Sequence, residues 1–138
     1  MMVPLGVGGI LLIVLVLVFR PVARTGAVAY AQANLRRAAE AAERVAAYGS
    51  LADADRTRLA NESGVDDLLL IDPDQSSNDP EVVSVLATDD VWTGSARAET
   101  GECFWIRISA AGGTVVGTGT DCSADEATAA KAGAWALG

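Results

Sequence analysis

Residues Met1 to Phe19 carry no charged side chain, and every position from Ile10 to Val18 is Ile, Leu or Val. Arg20 and Pro21 end the run. A membrane-crossing helix needs about 20 apolar residues; Met1–Phe19 just reaches that, and Val22, Ala23 and Gly26 to Ala29 continue mildly apolar beyond Arg20. Gly6, Gly8 and Gly9 place the best helical part at Ile10–Phe19. One end of the chain is therefore expected to live in lipid, or in the packed core of something assembled from lipid-resident subunits. A cleaved secretory signal is the rival reading. It wants a basic segment before the apolar run and a small-residue cleavage site close behind it; here no basic residue precedes the run, and Ala27-Val28-Ala29 lies far past it.

The 138 residues leave room for one modest domain beside such a segment. Charge divides unevenly between the two. Residues 1–48 hold five arginines against two glutamates, a net +3, whereas residues 49–138 hold five cations against sixteen acids, a net −11; together they give the overall −8. A basic stem on an acidic head argues against nucleic-acid binding by the head, which would need clustered Lys and Arg.

Cys103 and Cys122 are the only cysteines, and there is no histidine. Their spacing excludes CxxC redox and zinc motifs, and two sulfurs alone make a poor zinc site. Paired, they close a loop of about twenty residues, worth roughly 3 kcal/mol on the chain-entropy account; the alternative is two separate buried thiols. A disulfide needs an oxidising compartment, which puts the head outside the cytoplasm. The arginines that follow the apolar run point the other way, since cationic flanks favour the cytoplasmic side. The expected topology follows the cysteines.

From Pro21 to Tyr48 the pattern is helical, with Leu35, Ala38, Ala39, Ala42, Val45 and Ala46 forming one apolar face. Arg36–Glu40 and Arg37–Glu40 stand within reach as neighbouring turns, and Gly49 reads as the stop. With the apolar run this predicts one nearly continuous helix of about 45 residues, kinked or loosened at Pro21. A second helix is expected from Leu51 to about Asn61, with Ser50 and Asp53 as a weak capping box. Five strands follow, at Asp67–Ile71, Val82–Ala87, Val91–Arg97, Cys103–Ser109 and Thr114–Thr118, separated by turn residues. The short loops imply antiparallel pairing. The expected class is α+β, a long N-terminal helix packed on a small antiparallel sheet. The segment boundaries are 1–29 for the stem, 30–48 for the amphipathic half of the helix and 49–138 for the head. The tail from Ala124 reads as a short helix or as a strap pinned by Trp135.

The sequence offers little catalytic chemistry, and none is expected: without histidine there is no Ser-His-Asp triad or His-based metal site. Asp72, Asp74, Ser76 and Asn78 alternate as in a calcium loop but lack its glycine and closing glutamate, so a solvated turn is expected. Gly112-Gly113 and Gly117-Thr118-Gly119 read as hairpin glycines, not phosphate cradles. Trp92, Trp105 and Trp135 read as packing residues, with a binding face as the alternative. No cofactor is expected.

The apolar run ending at Pro21, the stretch from Ala31 to Ser50, and the C-terminal residues Thr100-Gly101-Glu102-Cys103-Phe104-Trp105-Ile106-Arg107-Ile108, Val116-Gly117-Thr118-Gly119 and Asp121-Cys122-Ser123-Ala124 together resemble type IV pilins and pilin-like proteins of actinobacterial type. The resemblance spans nearly the whole chain. It implies a helical stem whose second half packs on an antiparallel sheet, and a C-terminal disulfide loop on the head. Members of that family carry a basic leader ending in glycine, cut by a prepilin peptidase, and a glutamate soon after it; the apolar run here holds no acid. With Pro21 matched to the proline of pilin stems, processing would fall at or before Met1.

The resemblance also implies assembly through Leu5, Ile10, Leu11, Leu12, Ile13, Val14, Leu15, Val16, Leu17, Val18, Phe19 and Pro21. Its partners would be other copies of the chain, the cytoplasmic membrane before assembly and a pilus assembly machinery, and its location the cell surface. The alternative is a single-pass, membrane-anchored extracytoplasmic binding module that does not polymerise.

Overall fold

A computed structural model of the chain describes residues 26–135. The expected stem from Leu5 to Pro21, and the kink expected at Pro21, fall outside these residues. Helix α1 spans 26–46. Nothing from Ala27 to Tyr48 is glycine or proline, and alanine, leucine, arginine and glutamate favour the helix. Its buried residues Val28, Ala31, Leu35, Ala38, Ala42 and Val45 step by three and four along one face. The alanines among them let the helix backbone approach the sheet closely.

The sheet has five strands in sequence order: β1 (Leu69–Ile71), β2 (Val82–Ala87), β3 (Val91–Arg97), β4 (Cys103–Ser109) and β5 (Thr114–Gly119). The middle three coincide with the ranges expected from alternation. Their register puts Val83, Val85, Trp92, Ala96, Phe104, Ile106 and Ile108 on one face, and these form a single buried cluster with the α1 stripe. At ~25 cal/mol per Å² of apolar surface removed from water, this helix–sheet contact is the main source of stability.

The sheet departs from the all-antiparallel expectation at one edge, where β1 pairs parallel with β2. The ten residues between them are enough for the chain to return and run alongside in the same direction. Within that return Ser77 donates its hydroxyl to Val82 O at 2.6 Å, with Asp79 O also within reach at 2.9 Å, and its backbone N–H to Cys122 O. β1 also starts later than expected, at Leu69, because Leu68 N–H closes a turn onto Val65 O.

The expected helix from Leu51 to Asn61 is divided into a 3₁₀ turn, Leu51–Asp53, and helix α2, Arg56–Leu59. Two interactions interrupt it. Ala54 turns its carbonyl to the buried Trp92 indole, and Asp55 caps the new helix by accepting from Arg58 N–H. Asp53 does reach back to Ser50 N–H at 2.9 Å. Gly49 avoids the left-handed conformation of a helix-stopping glycine and instead leaves room for that Asp53 carboxylate, which an added Cβ would strike.

The other sheet face carries Ser84, Thr93, Ser95, Trp105 and Arg107, a pattern that alternation alone would assign to solvent. Helix α3 (Ala124–Ala129) lies across it, bonded through polar contacts: Ser84 accepts from Ala124 N–H, Ser95 donates to Ser123 O, and the Thr93 and Thr128 hydroxyls meet at 3.0 Å. Arg107 covers the Trp105 ring and points its Nη1 at the carbonyls of Ala127, Thr128 and Ala130, closing the C-terminus of α3.

The chain then wraps the β5 edge. Gly133 bridges Val116, and Trp135 donates to Gly117 O, packs edge-on to Phe104 and lies under Arg36. Helix and strap thus both occur, and the strap covers part of an edge that would otherwise be open to pairing.

Candidate functional site

Among the expected site residues, Cys103 and Cys122 fall within the described part, and they are joined as a disulfide with Cα atoms 5.4 Å apart. Cys103 opens β4; Cys122 sits just before α3, and both are buried. The bridge ties the central sheet to the element covering its polar face. Cys122 has φ 57°, the left-handed region that glycine prefers. The tie from Ser77 N–H to Cys122 O at 2.8 Å helps to hold the backbone there.

Two charged side chains organise this corner. Arg97 donates to the carbonyls of Ser77, Gly101 and Thr120, so one guanidinium pins the return before β2, the β3–β4 hairpin and the disulfide loop. Glu126 accepts from the backbone N–H groups of Thr120 and Asp121 and from the Thr120 hydroxyl. Burial pushes its carboxyl up, but these donors outweigh burial and leave its pKa below the usual glutamate value. The spacing Ser123-x-x-Glu126 was a capping signal visible in the sequence, and Ser123 does accept from Glu126 N–H.

A second cluster locks α1 to the β1–β2 edge. Arg37 forms a two-pronged pair with Asp67 at 2.8 and 2.9 Å and also reaches Gly64 O and the Asn34 amide oxygen. The amide nitrogen of Asn34 donates to Pro80 O, and Tyr30 donates to Glu81. The hydrogen bond from Arg37 lowers the Asp67 pKa, and the bond to Glu81 raises that of Tyr30. The pairs of Arg36 and Arg37 with Glu40 expected on the helix surface give way to these longer contacts and to the Arg36–Trp135 stacking. On the flank shared with Arg36, the wholly buried Gln32 amide has no hydrogen-bond partner.

The segment from Asp72 to Asn78, expected as a turn, opens with one: Asp72 pairs with Arg56, and its N–H donates to the Gln75 side chain. Among the described residues no group of acids and cysteines is gathered that could hold a metal ion, and no helix is long and apolar enough to cross a membrane. Trp92 and Trp105 are buried and Trp135 is half-buried, so none of the three forms an open aromatic face. Compared with protein-family models, curated proteins and solved structures, the chain matches none.

Proposed function

We propose that the chain is a structural, non-enzymatic subunit of a type IV pilus or pilus-like filament. The observation that carries this reading is the position of α1. An alanine-striped helix lies with one face on the sheet, and in the sequence it follows the uncharged run that ends at Arg20-Pro21. On this reading residues 1–29 form a stem kinked near Pro21, held in the membrane before assembly and packed against neighbouring stems afterwards, with small residues permitting close approach. Residues 30–48 join the stem to the head. The acidic head, stapled by Cys103–Cys122, is the surface of a filament outside the cell. Its partners are other copies of the chain and an assembly machinery, with no cofactor and no nucleic acid at the head.

A second reading, an anchored extracytoplasmic binding module that does not polymerise, is favoured by an open cleft of about 390 Å³ between the start of α2, Asp72-Pro73 and the end of β2. Val14→Asp in the full chain separates the two. A filament subunit loses thin filaments from sheared surface material in electron micrographs; an anchored module yields no filaments even in the unsubstituted chain, and the substitution only mislocalises it. Absence of filaments containing the unsubstituted chain would sink the first reading.

A further inference from the structure

Strand β2 outlasts its neighbour. β1 pairs only with Val82, Val83 and Ser84, whereas β2 continues to Ala87. Thr88 N–H donates to Val91 O at the hairpin, which sets the phase of the β2–β3 ladder. Leu86 and Ser84 turn their backbone groups toward β3, and Val85 and Ala87 turn theirs to the outer edge, where the Val85 N–H closes the last step of the β1 ladder on Ile71. Beyond the end of β1 no described strand meets that edge. An open cleft of about 390 Å³ lies there, walled by Asp55 and Thr57 at the start of α2 and by Asp72 and Pro73 where the chain leaves β1. Val85 to Ala87 form its third side.

Acids outnumber cations in and beside the gap. Asp55 and Asp72 line it, Asp74 adjoins Pro73, and Asp89 and Asp90 follow Ala87 by two and three residues. The lining cation, Arg56, is bound to Asp72 at 2.5 Å.

We infer that this cleft is a strand-addition site for a short, extended peptide in which basic and apolar residues alternate. The peptide main chain pairs with the outward carbonyl of Val85 and the outward N–H and carbonyl of Ala87, just beyond the end of β1. Its basic side chains meet the surrounding aspartates, and its apolar ones meet Leu86 and Pro73. Main-chain pairing supplies affinity and the alternate side chains supply selectivity. The inference does not depend on filament formation, since one copy of the chain contains the whole site.

The test uses the full chain in detergent and a fluorescent hexapeptide alternating arginine and valine. A glutamate–valine hexapeptide and an arginine–valine peptide N-methylated at its two central residues serve as comparisons. Binding of the first peptide should slow amide hydrogen exchange at Ala87 at least about tenfold. N-methylation, which removes donors but keeps charge, should weaken binding by about tenfold, and the acidic peptide should not bind. Ala87→Pro removes an outward N–H and should abolish binding; if it fails to fold, the N-methylated peptide carries the same test. Equal binding of the N-methylated peptide, protection away from Val85–Ala87, or no binding at all would overturn the inference. So would protection of Ala87 by self-association without peptide, which would assign the edge to a second copy.

Discussion

The indole N–H of Trp92 donates to the Ala54 carbonyl at 2.9 Å, both groups buried and 38 residues apart. Trp92 stands on the helix-facing side of β3, and Ala54 lies in the break between the 3₁₀ turn and α2. The bond therefore fastens the descending connection after α1 onto the middle of the sheet. Trp92→Phe keeps an aromatic ring but leaves the carbonyl unsatisfied and a void behind. The expected loss is roughly 1–3 kcal/mol, read as a lower denaturation midpoint with an unchanged slope. A change under about 0.5 kcal/mol would mean that water or a shifted backbone replaces the bond.

The disulfide separates two contributions that a single substitution would merge. Removing it as Cys103→Ala/Cys122→Ala should cost about 3 kcal/mol for a sequence separation of 19 residues. Position 122 has φ 57°, so Cys103→Ala/Cys122→Gly should be the more stable of the two reduced-state mimics by roughly 1 kcal/mol. Equal stability of the pair would show that the left-handed conformation is abandoned once the bridge is gone. An unchanged melting temperature in both would remove the staple from the account of stability.

The parts of this fold readable in the sequence are those in which one face is apolar. Phe104, Ile106 and Ile108 alternate with Trp105, Arg107 and Ser109, and the turns at Gly101, Gly112 and Gly113 use positive φ, so the boundaries of β2 to β5 followed closely. The three-four spacing of α1 was equally plain. The direction of β1 was not, because local alternation is the same for parallel and antiparallel strands; the return through Ser77 decides it. Polarity and alternation give no sign that Ser84, Thr93 and Ser95 are buried; they are so because α3 supplies hydrogen-bond partners from about thirty to forty positions away. Arg37 likewise prefers Asp67, thirty positions on, to the nearby Glu40. The cysteine pairing was one of two open readings. The cleft left no signal, since it arises where one strand stops short of its neighbour.

Glu126 gives the head a pH dependence whose sign is fixed by its donors. Its folded pKa lies below the usual 4.5, so the unfolded chain binds the proton first as pH falls. The stabilisation is present above pH 4.5 or so and is lost as pH drops through the lower folded value. Glu126→Gln keeps one acceptor oxygen but removes the charge that holds Thr120, its hydroxyl and Asp121. At neutral pH it should cost roughly 1–3 kcal/mol, and the gap between the two proteins should shrink as pH falls through the acid range. Other depressed carboxylates such as Asp67 titrate in both proteins, so the difference between the two stability curves isolates Glu126. A gap that stays constant from neutral pH to below the folded pKa would show that its carboxylate charge does not hold the disulfide loop.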